Sequence, residues 1–256
     1  MTHLPAGDPG GQDERWLGPV ADQPWERGVL GSEHRFSGRV WSVRTDRVDF
    51  DGHVAHRDIL LHLGAVAVIA LDASERVLLI RQYRHPVGMY LFEPPAGLLD
   101  VPGEPPQATA ARELAEEAGY AAGRWDVLVD LLNSPGGSSE AIRVYLARDL
   151  VPLDAGRPRT GEAEESHLPQ AWVRLDDARD LVLAGQVGCV SAVCGILAAW
   201  SARQEGWRSL RPADAPWPAR AAIEGSGRVH QGSNLSVGPS GPSRMAGGRY
   251  EGRGSA

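Results

Sequence analysis

The amino-acid sequence predicts an α/β protein in which helices cover a mixed β-sheet, preceded by a small antiparallel N-terminal β-region. Three observations lead to this prediction: an alternating stretch interrupted by a turn signal, two continuous apolar runs, and apolar residues at helical spacing further along the chain. Strands without alternation are covered on both faces, and helices on either side of the sheet are the natural cover. The length of 256 residues suits one domain with appendages.

The N-terminal quarter is predicted to contain a flexible segment followed by a hairpin. Residues 1–30 are rich in Gly, Pro and Asp, a composition typical of flexible segments. Residues 31–63 alternate between apolar and polar side chains around Asp51-Gly52, which is a turn signal. We therefore expect an N-terminal β-hairpin region at 31–63.

Residues 64–207 are predicted to form the main domain. A helix that starts at Pro105-Pro106 and ends at Gly119 carries an apolar stripe at helical spacing. After Trp207 the composition shifts to Gly, Ser, Pro and Arg, so a disordered tail is predicted at 208–256. The other predicted elements of the main domain are strands at 64–71, 77–83, 90–93, 125–132, 142–147 and 170–175, and helices at 176–185 and 189–206.

Charge and hydropathy exclude several kinds of partner. The chain has 26 Lys and Arg against 33 Asp and Glu, for a net charge of −7, and this acidic balance argues against nucleic-acid binding. The first residues lack the basic start and apolar centre of a signal peptide, and no apolar run approaches the length that crosses a bilayer. We expect a cytoplasmic protein that binds neither nucleic acid nor membrane.

Three carboxylates share one edge of the predicted helix. Glu113, Glu116 and Glu117 are three and four residues apart, so they are neighbours on its surface. Their repulsion in water is only about 0.2–0.5 kcal/mol per pair, which solvent can absorb. Two interpretations follow from the residues alone: a solvated acidic face, or a site for a hard divalent cation such as Mg²⁺ or Mn²⁺.

The stretch from Gly97 to Gly119 resembles the signature of the Nudix hydrolases. That signature is Gly, five residues, Glu, seven residues, then Arg-Glu-aliphatic-x-Glu-Glu-x-Gly. Seven residues separate Glu104 from Arg112, as in the signature, whereas six separate Gly97 from Glu104, which is one more than expected. The extra residue lengthens the loop before the helix without moving the carboxylates relative to one another. The resemblance covers roughly residues 35–206 and implies a Nudix α/β/α sandwich.

The resemblance also implies the chemistry of this helix. In such enzymes the metal ion neutralises the charge of a diphosphate and activates water. By resemblance, Glu113, Glu116 and Glu117 bind Mg²⁺ or Mn²⁺ together with the backbone carbonyl of Ala96. Arg112 is expected to pair with a neighbouring carboxylate and to fix its rotamer; Arg112 and Glu116 are therefore counted with the catalytic residues.

Stretches outside the helix resemble the ADP-ribose pyrophosphatase branch of the family, in its actinobacterial form. They are "QYRH" (82–85), "EPPAGLLD" (93–100) and "SPGGSSEAIRVYLA" (134–147), with Pro135 fifteen positions after Tyr120. This likeness implies hydrolysis of ADP-ribose to AMP and ribose 5-phosphate by a homodimer. The alternatives are another nucleoside diphosphate sugar or a dinucleoside polyphosphate as substrate, or a non-catalytic ADP-ribose sensor, although sensors usually lose the carboxylates that this chain keeps.

Five further residues are predicted to act on the substrate, and four of them have an alternative interpretation. Glu140 is expected to orient or deprotonate water, against the alternative of a solvated loop glutamate. Arg84 is expected to clamp a phosphate, against a structural ion pair, and Glu93 either orients substrate or stabilises Arg84. Arg57 and Trp41, in the N-terminal hairpin, are candidates to contact adenine, although ordinary sheet packing accounts equally well for Trp41.

Overall fold

The computed structural model describes residues 16, 18–157 and 168–230. An antiparallel N-terminal sheet comes first, with strands β1 (Val29–Ser37), β2 (Trp41–Phe50) and β3 (His53–His62) in that order. Asp51 and Gly52 both have positive φ angles, of 57° and 93°, which is the backbone of a tight two-residue hairpin turn. The predicted antiparallel region is confirmed, with β1 as a third strand.

The described residues after β3 form two further sheets and four α-helices. The elements in chain order are β4 (Ala65–Ala70), β5 (Arg76–Arg84), β6 (Met89–Glu93), β7 (Ala96–Leu98), α1 (Pro106–Glu113), β8 (Tyr120–Leu132), β9 (Ala141–Pro152), β10 (Gln170–Arg174), α2 (Leu175–Leu183), α3 (Val190–Gln204), β11 (Arg211–Pro212) and α4 (Pro218–Gly225).

The central sheet is mixed, as predicted. Its order is β11-β8-β9-β4-β7, in which β4 and β9 run parallel and the other neighbours run antiparallel. A smaller antiparallel sheet has the order β10-β5-β6. Because β4 is flanked by β7 and β9, its apolar run is paired along both edges.

Alternate residues of β4 build two separate cores. Val66 and Val68 pack in a cluster with Leu114 of the segment after α1, whereas Ala67 and Ile69 pack in a cluster with residues of α2 and α3. Side chains on a strand point alternately to its two faces, so one apolar strand serves both layers. This arrangement is the predicted α/β/α sandwich.

The described part of the predicted disordered tail, residues 208–230, is ordered. Residues 208–230 include β11 and α4, and Trp217 and His230 are buried. The buried Arg143 accounts for this order, because its guanidinium donates to the carbonyls of Ala215 and Pro216 and lies 4.7 Å from the Trp217 ring centre. Composition alone does not reveal a segment that is ordered by contacts with a distant strand.

Some predictions fall on residues that the structure does not describe. They concern 1–15 and residue 17 of the expected flexible segment, 158–167 of the predicted main domain, and 231–256 of the expected tail. The described part of the first segment, 18–28, contains no helix or strand.

Among residues 16, 18–157 and 168–230, no helix combines the length and apolar character needed to traverse a lipid bilayer.

Trp217 tests whether the C-terminal segment contributes to stability. We expect Trp217→Ala to lower the free energy of unfolding by about 3 kcal/mol, since a large buried ring and its contact with Arg143 are lost. Urea denaturation measures the change, and the exposed Trp25 is the matched control. Equal stability of the Trp217→Ala and Trp25→Ala variants would contradict this role.

Candidate active site

The helix that carries the carboxylates ends in an unusual way. Helix α1 passes directly into a π-helical turn, Leu114–Ala118, and Gly119 follows with a φ of 78°. Its backbone N–H donates to the carbonyl of Ala115, which ends the turn. π-Turns are rare and frequently occur at functional sites.

Strand β7 lies against two of the carboxylates. The Glu113 carboxyl group packs so closely on Gly97 that a Cβ atom there would be 2.1 Å from it. Glu117 accepts a hydrogen bond of 2.8 Å from the backbone N–H of Ala96. Both glutamates are buried, although isolated buried carboxylates are costly. The glycine of the signature therefore has a direct physical purpose here.

Arg112 connects the carboxylates. Its guanidinium bonds Glu113 at 2.6 Å, Glu104 at 3.2 Å and Glu116 at 3.4 Å. The hydrogen bond with Glu104 is the main cause that raises the pKa of Arg112 above its ordinary value. The same bond, with help from the Thr109 hydroxyl, lowers the pKa of Glu104. The expectation that Arg112 pairs with a carboxylate agrees with this geometry.

The three glutamates do not form one solvated face. Glu113 and Glu117 are buried against β7, whereas Glu116 is partly exposed and pairs with Arg112. This difference in burial arises because α1 packs one side on β4 and β7. The spacing of the glutamates along the sequence does not show which of them face those strands.

The donor set suits a hard divalent cation. Three carboxylates pair with one guanidinium and Glu117 lies next along the helix, so the region keeps an excess of negative charge, and carboxylate oxygen is the preferred ligand of Mg²⁺ and Mn²⁺. The glycine at 97 leaves room for the Glu113 carboxylate beside the β7 backbone. In the part of the chain that the structure describes, no three His, Cys, Asp or Glu side chains already converge on one point. The residues fit such an ion by chemistry, and its binding would redirect some oxygens that now face Arg112.

Arg84 and Glu93 form an ion pair at the edge of the smaller sheet. Arg84 Nε lies 3.0 and 3.1 Å from the two Glu93 oxygens, and Nη2 lies 2.5 Å from Oε2. Burial lowers the pKa of Arg84, but the bonds and charge of Glu93 outweigh it and raise the pKa above its ordinary value, with Glu117 adding to the rise. Glu93 is paired with Arg84, as one of its two predicted roles requires, and that role stays a prediction.

Glu140 lies immediately before β9, some way along the strand direction from the level of Ala96. Its Oε2 accepts a 2.6 Å hydrogen bond from Asn133, and its Oε1 lies 3.7 Å from His62 Nε2. The strand register puts Ala96 level with Val144 through Ala67. Glu140 is four residues before Val144, which is roughly 13 Å along the strand at 3.3 Å per residue.

His62 is held in one tautomer beside Glu140. The backbone N–H of Gly64 donates to its Nδ1 at 3.0 Å, so the proton of the neutral ring is on Nε2, which faces Glu140. Burial lowers the pKa of His62, the Glu140 charge opposes this change, and His230 and Arg220 reinforce it.

The two predicted adenine contacts are not brought together. Trp41 is opposite His62 in the β2–β3 ladder, whereas Arg57 is opposite Asp46, five positions away. Trp41 is partly exposed with its ring centre 5.6 Å from that of Phe36, and the Arg57 guanidinium lies 5.1 Å from the Phe50 ring centre.

The sequence did not reveal three polar partners in this region. Thr109 bonds Glu104, while Asn133 and His62 face Glu140. Only Thr109 has a sequence signal, since it lies on the same helix near Arg112. The other two are brought to Glu140 by strand pairing, and their spacing carries no motif.

Comparison with known proteins finds a matching family model and related sequences. The model of the NUDIX domain matches residues 61–188. An ADP-ribose pyrophosphatase of Mycobacterium tuberculosis is 42% identical over 190 residues, 74% of this chain and 90% of that protein. A methanol dehydrogenase activator of Bacillus methanolicus is 39% identical over 155 residues, 60% of this chain and 82% of that protein.

A solved structure described as an ADP compounds hydrolase shares the fold. Its TM-score is 0.59 at 23% sequence identity, with 82% of this chain and 100% of that chain covered. At this identity the likeness concerns the fold alone.

Gly97 tests the close contact with Glu113. We expect Gly97→Ala to lower the free energy of unfolding by about 1–3 kcal/mol, because the new methyl group would overlap the Glu113 carboxyl group. Gly31 has open space around its Cβ position, so Gly31→Ala is the control in the same urea titration. A loss no larger than that of the control would show that the glycine is not needed there.

Glu104 gives a pH-dependent prediction. Its folded-state pKa is lowered, so its contribution to stability is present above the ordinary value of 4.5 and is lost as the pH falls through the lower folded value. Glu104→Gln should be less stable than the natural protein above that value, and the difference should shrink in acid. Unfolding curves between about pH 6 and pH 3 measure it, with the exposed Glu205→Gln as control; a difference that is constant with pH would contradict the assignment.

Proposed function

The chain belongs to the Nudix family, and from this premise we propose that it hydrolyses ADP-ribose to AMP and ribose 5-phosphate with a divalent metal ion. It is a Nudix pyrophosphohydrolase that acts on nucleoside diphosphate compounds. The observation that carries the finer proposal is the complete carboxylate set around Arg112 and β7, in a chain 42% identical to an ADP-ribose pyrophosphatase.

Glu113, Glu116 and Glu117 would hold the metal ion, together with the backbone carbonyl of Ala96. When bound, such an ion supplies charge neutralisation at the diphosphate and activation of water. Mg²⁺ or Mn²⁺ fits a site made only of oxygen donors. Arg112 supports the site by fixing the rotamers of Glu113 and Glu116 and by offsetting part of their repulsion.

Arg84 would bind a phosphate of the substrate. Its contacts with Glu93 use the edge formed by Nε and Nη2, so the edge with Nη1 points away from Glu93. The side chain is 43% exposed, whereas that of Glu93 is 5% exposed. Glu93 therefore holds the guanidinium in the free protein, and the exposed side chain can turn its N–H donors towards an anion.

Glu140 is proposed to orient or deprotonate the attacking water once its loop has moved. In the present position Asn133 and His62 face its two oxygens. Gly136 and Gly137 precede it and have open space around them, which makes a loop movement sterically easy.

A homodimer formed through the N-terminal sheet completes the proposal. Apolar side chains stand exposed on this sheet, including Leu30, Phe36, Trp41 and Val54. Contiguous exposed apolar groups favour association. A partner's sheet would then bring Trp41 and Arg57 to the adenine, and residues 64–207 would act as the catalytic domain.

Mass analysis of the reaction in ¹⁸O-labelled water tests the proposed activity. We expect AMP and ribose 5-phosphate with one labelled oxygen, formed with Mg²⁺ and abolished by EDTA. Glu117→Gln and Glu140→Gln should each lower kcat by about 10²–10⁴-fold, the range for a positioned acid–base group.

The outcomes separate the alternatives. A higher kcat/KM for GDP-mannose or a dinucleoside polyphosphate than for ADP-ribose would reassign the substrate. Binding of ADP-ribose without any product would support a sensor. Full activity of Glu140→Gln would remove that residue from the mechanism and leave the metal-site proposal intact.

A further inference from the structure

Gln82 is a buried polar side chain whose amide oxygen has no partner. It lies on β5 with 9% of its surface exposed, and Oε1 is enclosed without a hydrogen-bond donor among the described residues. A buried acceptor left in this way destabilises the folded protein. Since buried polar groups are nearly always bonded, a glutamine here needs an explanation other than stability of the free protein.

The strand register places Gln82 beneath the Arg84–Glu93 ion pair. In the β5–β6 ladder Ile80 is opposite Glu93, Gln82 is opposite Leu91, and Arg84 is opposite Met89. Alternate and directly opposite residues share a face of a sheet, so Gln82, Arg84 and Glu93 are on one face. Arg84 is two positions after Gln82, and Glu93 is opposite Ile80, two positions before Gln82. The ion pair between them therefore spans the position of Gln82.

The chemistry of this oxygen limits what it can bind. An amide oxygen only accepts hydrogen bonds, and phosphate oxygens are acceptors as well, so Oε1 does not bind a diphosphate directly. The donor-rich group beside it is Arg84, which currently directs Nε and Nη2 to Glu93. If Arg84 turns its guanidinium towards an anion, its hydrogen bonds to Glu93 weaken. An N–H donor of the guanidinium then becomes available on the side that faces Gln82.

We propose that Gln82 is a positioning residue for Arg84: its amide oxygen accepts a hydrogen bond from the guanidinium when Arg84 turns from Glu93 to a substrate phosphate. The inference rests on the proposed function in one respect, that Arg84 binds phosphate. Bonds from a charged donor are stronger than neutral ones. The Gln82 amide oxygen, which has no donor in the free protein, thus gains a hydrogen bond in the complex. The free energy of that hydrogen bond favours binding.

Gln82→Met tests the proposal because methionine has a similar length and no amide oxygen. We expect Kd for ADP, measured by calorimetry in EDTA, to rise about three- to tenfold, the range of one lost hydrogen bond. KM for ADP-ribose should rise by a similar factor while kcat changes less than twofold. The melting temperature should stay equal or increase, because an unsatisfied buried group has been removed.

Two further variants separate positioning from packing. Leu91→Met changes the apolar residue opposite Gln82 and should leave Kd for ADP unchanged. In an Arg84→Met background the effect of Gln82→Met on Kd should disappear, since the two residues act as one unit. An unchanged Kd in Gln82→Met, or the same rise in both backgrounds, would overturn the proposal.

The binding measurement also distinguishes this inference from the proposed function. If the natural protein binds ADP but does not cleave ADP-ribose, the proposed activity fails while the double-variant cycle on ADP still decides the role of Gln82. If ADP-ribose is cleaved and the cycle shows no coupling, the activity stands and Gln82 has no positioning role.

Discussion

The concentration of negative charge on α1 depends on a single guanidinium. Arg112 reaches Glu104, Glu113 and Glu116 at once, and without it three partly or fully buried carboxylates would face one another. Coulomb repulsion grows as water is excluded, so this arrangement is stable only with the cation in place. The same interaction accounts for the seven residues that separate Glu104 from Arg112: the loop before the helix folds back to bring the Glu104 carboxylate to the arginine.

The sequence predicted those parts of the molecule that follow from local spacing. The apolar runs gave the central strands, the Asp51-Gly52 turn gave the hairpin, and the spacing from Gly97 to Gly119 identified the helix and its carboxylates. The burial of Glu113 and Glu117 against β7, and the π-turn after Glu113, depend on packing and carry no such signal. The contacts of Glu140 depend on His62, which lies 78 positions earlier, and on the backbone hydrogen bonds that tie its loop to Leu60 of β3.

The C-terminal segment shows the clearest limit of composition. Residues 208–230 contain few large apolar groups, yet Trp217 and His230 are buried through contacts with Arg143, Ser42 and His62. A segment with few apolar side chains can still be ordered through its backbone. Here the carbonyls of Ala215 and Pro216 accept hydrogen bonds from the buried Arg143.

The position of His230 has a consequence for folding during synthesis. Its backbone N–H bonds the carbonyl of His62, and Arg220 bonds the carbonyl of Leu63, so the junction between β3 and β4 is completed by the chain's last described residues. A ribosome releases these residues well after the sheet strands, and domains fold as units during synthesis. The nascent protein therefore lacks these two hydrogen bonds at the junction beside Glu140 until residues 220–230 have left the ribosome, and the carbonyls of His62 and Leu63 remain open to water until then.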